Sequence, residues 1–142
     1  MAQPMSKDEY LAFLSQGTRT GKLATFRRDG RPHVVPVWFV LDGEILVFTT
    51  GAQTVKGRRI LLDPRVALCV DDERPPFSFV TVEGLAEATD NPPEMLEWST
   101  RIAGRYMGEA LAETYGKRNA VDGELLVRVT PTKVIAIKAL AD

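Results

Sequence analysis

The chain has 142 residues, enough for one domain to bury a core without disulfides or a structural metal. A formal charge of −1 and a pI of about 5.9 exclude the net basic surface of a general nucleic-acid binder, so any anion site has to be a local patch. One cysteine, Cys69, and one histidine, His33, exclude an internal disulfide and a multi-histidine or Cys/His zinc centre.

The N-terminal stretch MAQPMSKDEYLAFLSQG lacks the apolar run of a secretory signal, and no segment approaches the ~18 apolar residues of a membrane span. There is no repeat and no linker-like tract. The expectation is a single domain over residues 1–142, cytoplasmic, with no membrane or nucleic-acid partner.

The first element is a helix. Ser6 stands as an N-cap with Glu9 three residues on, the capping-box spacing, and Gly17 is its stop. Three β-runs follow: KLATFRR, HVVPVWFV and EILVFTT. Asp29-Gly30 and Asp42-Gly43 separate them, and such pairs suit the positive φ of tight hairpin turns. Pro36 cannot donate a ladder hydrogen bond, so it marks an edge, a bulge or an opening in the sheet. A short basic helix comes next, closed by Asp63-Pro64. RVALCVDD and FSFVTVEGLAEATD then read as strands, the second with a bulge or bend at Gly84.

PPEMLEWSTRIAGRYMGEALAETYGKR reads as helical, with prolines at its start. Met95, Trp98 and Ile102 give its apolar spacing, and Gly104 and Gly108 argue against one unbroken rod. The last segment reads as two β-runs around Thr130-Pro131-Thr132. Six or seven strands joined by tight turns, with helices between some of them, predict a mostly β fold built as an antiparallel barrel. Neither GxGxxG nor GxxxxGK[ST] is present, which disfavours dinucleotide-binding and P-loop folds.

Three stretches carry chemistry. In FTTGAQTVKGRR, Thr49, Thr50, Gln53 and Thr54 supply hydroxyl and amide groups where a helix begins. The first N–H groups of a helix lack internal partners and its dipole is positive there. Lys56 falls in that first turn and Arg58 two residues on, with Gly57 between them to allow close backbone approach. Together they fit a phosphate site; a solvated basic face is the competing reading. Arg59 and Arg65 read as field or ion-pair residues. In VVPVWFV, the break at Pro36 frees backbone groups for the edge of a planar ring, and Trp38 or Phe39 can wall the pocket. In RPPFSFVTVEG, Phe77 and Phe79 share a face and Ser78 points the other way. Cys69 reads as a buried inert thiol and His33 as a strand-start residue. No nucleophilic triad and no carboxylate dyad stands out, so catalytic residues stay unassigned and a cofactor has to carry any hard chemistry.

GKLATFRRDGRPHVVPVWFVLDGEILVFTT, TVKGRR…DPRVALCVDD and VTVEGLAEAT, in that order, resemble the flavin/deazaflavin-dependent oxidoreductases of the pyridoxamine 5′-phosphate oxidase superfamily. The resemblance is strongest over residues 21–89 and closest to the branch using coenzyme F420, a deazaflavin hydride carrier. It implies the split β-barrel fold and a homodimer with the cofactor in a groove between subunits. It implies that Lys56 and Arg58 hold the cofactor phosphate. Pro36, Val37, Trp38, Thr49, Thr50, Gln53 and Thr54 would line the ring and ribityl chain. Phe77 and Ser78 would reach over from the second subunit. The implied reaction is hydride transfer from reduced F420 to an unsaturated or oxidised small molecule. Two alternatives stand beside it: an FMN-dependent oxidase or reductase, and a non-catalytic flavin- or tetrapyrrole-binding module. The acidic glutamyl tail of F420 asks for further cations, and Lys22, Arg27, Arg28 and Arg59 are the candidates. Tyr106 and Tyr115 are conceivable proton donors, with packing the plainer role for both.

Overall fold

A computed structural model describes every residue from Met1 to Asp142. The elements run β1 (Gln3–Pro4), α1 (Lys7–Ser15), β2 (Gly21–Phe26), β3 (Pro32–Val37), β4 (Val40–Asp42) and β5 (Ile45–Gly51). They continue as α2 (Val55–Leu62), β6 (Arg65–Asp72), β7 (Ser78–Thr89), α3 (Pro92–Met107), α4 (Glu109–Asn119) and β8 (Glu124–Lys138).

The short-range signals act as the residue chemistry requires. Ser6 and Glu9 form a reciprocal capping box on α1. Gly30 and Gly43 take positive φ in the β2–β3 and β4–β5 turns. Asn91 caps α3, with prolines in its first turn.

All strands belong to one antiparallel sheet with the order β3-β2-β6-β7-β8-β5-β4, and β1 pairs the far end of β8. The sheet curls into a barrel that does not close. Its two edges are β3 and β4, although these are consecutive in the chain. HVVPVWFV is therefore not one strand, as its apolar run suggests. It leaves the sheet at Trp38-Phe39 and re-enters at the opposite edge, so Pro36 lies on an edge strand whose free side faces the split. The strand path counts seven, as expected, and β1 is the addition.

Two further segments differ from the sequence reading. The last two β-runs are one strand, β8. Its register against β7 jumps between Glu83↔Lys133 and Gly84↔Pro131, so Thr132 is the extra residue. A Cβ on Gly84 would meet the Thr130 carbonyl oxygen at 2.6 Å, which is why glycine stands at that bulge. The long helical segment turns at Gly108, φ 89°, into a hairpin of α3 and α4. Gly116 lets the two helices touch: a Cβ there would stand 2.3 Å from Thr100 Oγ1.

Inside the barrel, Leu23, Phe39, Phe48, Leu68, Val70, Val80, Val82 and Val127 form the core with Ile60 of α2. A second cluster of Val47, Leu126, Met95 and Trp98 seats α3 on the outer face of β5 and β8. The far end of α3 is tied to the split. Arg105 donates to the carbonyls of Leu14, Gly17 and Phe39. The Tyr106 hydroxyl accepts from Phe39 N–H at 3.2 Å and lies 2.8 Å from the Arg19 carbonyl, while its ring stacks on Trp38 with centroids 5.0 Å apart.

Candidate functional site

The edge at Pro36 faces the N-terminal end of α2 across a cleft of about 320 Å³. Pro36, Val37 and Trp38 form one wall, Thr49 and Lys56 another. Two stretches separated in sequence thus meet at one place. The remaining wall comes from residues that the sequence did not mark as belonging to a site: Ser99 and Ile102 of α3, the latter read only as part of the apolar face, Asn119 of α4 and Glu124 at the start of β8.

The turn into α2 is built by hydrogen bonds. Thr54 is the N-cap: its hydroxyl accepts from Gly57 N–H at 3.1 Å and lies 2.8 Å from the Gly51 carbonyl. A third bond joins it to the Thr50 hydroxyl at 3.1 Å. Thr50 is 3% exposed. The structure thus occupies both hydroxyls in shaping the turn. Gly57 serves the same end. A Cβ on it would lie 2.1 Å from the Gly51 carbonyl oxygen. Its close approach is to its own turn rather than to a ligand, correcting the reading from the sequence. Gln53 and Arg58 are exposed beside the cleft-facing turn, and Lys56 is half-buried in it.

The other basic residues separate clearly. Arg65 is bound to Asp63 at 2.8 Å, at the exit of α2. The Arg59 guanidinium donates to the Phe26 carbonyl, latching α2 to β2 instead of serving as an outer charge. Arg27, Arg28 and Arg31 gather around the β2–β3 turn beyond that latch. Lys22 does not join them; it pairs with Asp71 at 3.2 Å. Lys56 and Arg58 enter no ion pair at all.

A larger groove of about 620 Å³ lies between Gln16–Lys22 and Asp71–Arg74. Its three cations are balanced by three carboxylates: Arg19 and Arg74 share Asp72, Lys22 pairs with Asp71, and Glu73 lines the same groove. It makes no comparable demand for an anion.

Phe77 and Ser78 do not line the cleft within one chain. Phe77 precedes β7 with φ 64° and is 38% exposed. The segment after β8 holds it, Leu140 N–H donating to the Phe77 carbonyl at 3.0 Å. Cys69 is half-buried rather than buried, and its place in β6 puts it on the outer sheet face. Tyr106 is committed to backbone groups, and burial pushes its hydroxyl above the usual tyrosine range. Burial likewise raises the Glu124 carboxyl, with Lys56 opposing.

One observation tests whether the cleft fits a ligand. Ser99 is 2% exposed, lines the cleft, and its hydroxyl has no hydrogen-bond partner. Buried hydroxyls are normally satisfied. An unpartnered one beside an unpaired lysine suits a cleft that receives a polar, anionic molecule. The sequence held a signal for it: Ser99 follows Met95 by four residues, so it sits on the apolar face of α3 where a polar residue is out of place.

The antiparallel barrel, open between β3 and β4 with a basic helix start at the opening, defines the split-barrel class of fold. Residues 6–138 match the pyridoxamine 5′-phosphate oxidase family, and the chain belongs to it. A conserved hypothetical protein of Mycobacterium tuberculosis shares 27% identity and superimposes with a TM-score of 0.81, over 93% of this chain and 84% of that one. A protein described as an F420 reductase shares 31% identity with a TM-score of 0.72, over 87% and 94% of the two chains. A protein from Mesorhizobium loti described as FAD-binding shares the fold, at 21% identity and a TM-score of 0.69, over 96% of both chains.

Proposed function

We propose that the protein is a homodimeric oxidoreductase that binds coenzyme F420 in this cleft and reduces an unsaturated or oxidised small molecule. The observation that carries the reading is the single cleft that unites Pro36, Val37 and Trp38 with Thr49 and the unpaired Lys56. The F420 reductase at 31% identity supports the deazaflavin over FMN. So do Arg27 and Arg28 at the β2–β3 turn beyond α2, which enter no ion pair and offer cations to an acidic tail, whereas Arg31 beside them is bound to Asp29 at 2.8 Å.

In this reading Lys56 and Arg58 bind the cofactor phosphate, and charge-assisted hydrogen bonds to each fix its end of the groove. Gln53 lies beside them. Thr50 and Thr54 act by holding the turn, and Thr49 faces the ligand directly. The Pro36–Trp38 edge takes the ring. The Ser99 hydroxyl donates to a polar atom of the ring or the substrate. The bound deazaflavin supplies a hydride; the chain orients the substrate, excludes water and keeps the charges in place.

The cleft of one chain is small for a whole cofactor, and Phe77 and Ser78 stand away from it. A second copy supplies what is missing. The outer face of β3, β2, β6, β7 and β8 carries the row Val34–Ala24–Ala67 and the row Pro36–Lys22–Cys69–Thr81–Ile135. Val34 is 61% exposed and Ile135 40%, apolar residues of a mixed face that includes Lys22 and is bordered by Glu83 and Lys133, and that a twofold contact would cover.

Fluorescence titration of the purified protein with F420 and with FMN tests the cofactor. Binding of F420 at micromolar concentrations or below is expected. Micromolar FMN binding without F420 binding would move the protein to the FMN-dependent reading. Tight F420 binding with no turnover of enones or quinones would leave a sequestering module.

A further inference from the structure

We propose that Glu124 discriminates against doubly charged phosphate monoesters at the Lys56 end of the cleft, tilting it toward singly charged phosphodiesters. The inference rests on the cleft being a flavin or deazaflavin site, and it adds a residue that decides between the two.

Glu124 opens β8 and pairs with Gly51 in the ladder to β5, which fixes it beside the turn into α2. One of its carboxylate oxygens lies 3.6 Å from where a Cβ on Gly51 would stand. Lys56, in the first turn of α2, lines the same cleft. These two are the only charged residues among its walls; the elements packed around them contribute Thr49, Ser99, Ile102 and Asn119, none of which is charged. Lys56 and Glu124 are not in ion-pair contact, so both keep groups free for a ligand, although Lys56 is near enough to favour the charged carboxylate. The carboxyl is partly buried, and its proton is held more tightly than usual because burial disfavours the charged form.

Coulomb energy scales with the product of the charges. Lys56 attracts any phosphate, and Arg58 can add to it. Glu124 repels a dianion twice as strongly as a monoanion at the same place, so it removes part of the advantage the higher charge would have. A phosphate monoester such as that of FMN is a dianion above a second pKa of about 6. A phosphodiester, such as the one linking the F420 ring system to its tail, carries one charge at every pH near neutrality. A lysine alone would favour FMN; a lysine with a carboxylate beside it favours the diester relative to that.

The test compares dissociation constants of FMN, F420 and riboflavin at about pH 8, where the monoester is doubly charged, for the full chain and for Glu124→Gln. Glutamine keeps the size and removes the charge. FMN is expected to bind Glu124→Gln about tenfold more tightly, and F420 about threefold, because the repulsion relieved is half as large. Riboflavin, which has no phosphate, should not change. Glu124→Ala should give the same order of ligands, and melting curves confirm that both variants are folded. Equal tightening of FMN and F420, a matching change for riboflavin, or no change at all would overturn the role of Glu124 alone. Absence of binding by all three ligands would overturn the cofactor reading of the cleft and this inference with it.

Discussion

Replacing Gly57 by alanine sets two effects of opposite sign against each other. Alanine is favoured over glycine within a helix by about 1 kcal/mol. At this position the added methyl would stand 2.1 Å from the Gly51 carbonyl oxygen and 3.1 Å from Thr54 Oγ1. Backbone cannot yield to that contact, so the first turn of α2 has to swing away from Gly51. The swing releases the Gly57 N–H to Thr54 Oγ1 bond of 3.1 Å and the Thr54 hydroxyl to Gly51 carbonyl contact of 2.8 Å. Loss of an N-cap costs about 1–2 kcal/mol and the second bond about 1 kcal/mol. Subtracting the gain in propensity leaves a destabilisation of about 1–2 kcal/mol. In a domain of this size that is a fall of roughly 3–8 °C in Tm. Lys56 precedes Gly57, so the same swing carries it off the cleft, and F420 affinity should fall as well. Thr54→Ala removes the cap without the clash and should lower Tm while sparing affinity by comparison. Thermal melts and a ligand titration on the two variants read both quantities. A Gly57→Ala protein as stable as the parent would refute the close approach and leave helix propensity in charge.

Three further outcomes are expected. Lys56→Ala combined with Arg58→Ala should cost F420 several kcal/mol of binding, since each charge-assisted bond contributes about 1.5–3 kcal/mol; unchanged affinity would restore the solvated-face reading. Tyr106→Phe removes the hydroxyl that serves Phe39 N–H and the Arg19 carbonyl, so it should destabilise by about 1–3 kcal/mol. The folded variant should still turn over substrate, and a hundredfold loss of kcat would make Tyr106 a proton donor instead. Acid stability should depend on Asp63 and Asp72, whose carboxyls are held low by hydrogen bonds from Arg65 and Arg74, Asp63 down to about 2. A depressed folded pKa means stability that is complete above the ordinary carboxylate range and lost as pH falls through the folded value. Melting temperature should therefore drop between about pH 4 and pH 2, and Asp63→Asn with Asp72→Asn should flatten that decline.

The sequence made the local chemistry legible and left the tertiary choices open. Asp29-Gly30, Asp42-Gly43 and the Ser6–Glu9 box act within a few residues, so their outcomes follow from turn and cap geometry. The exit at Trp38-Phe39 did not show, because alternation reports which face is buried and not which edge of a curled sheet a strand joins. Pro36 signalled an opening without saying that its two sides part to opposite edges. The cleft followed the same division. Pro36, Trp38 and Lys56 could be read from turn chemistry and family pattern, while Asn119 and Glu124 depend on how the α3–α4 hairpin lies over β5 and β8. Gly57 was read toward a ligand because a glycine between two cations looks the same whether it admits a phosphate or its own Gly51 carbonyl.

A structure of the protein with F420 bound would show whether the cleft at the α2 N-terminus holds the cofactor. The phosphate is expected within hydrogen-bond reach of Lys56 Nζ and the Arg58 guanidinium, and the ring against the Pro36–Trp38 edge with Phe77 of a second copy over it. A cofactor seated instead in the groove between Gln16–Lys22 and Asp71–Arg74, with Lys56 and Arg58 left in solvent, would contradict this placement.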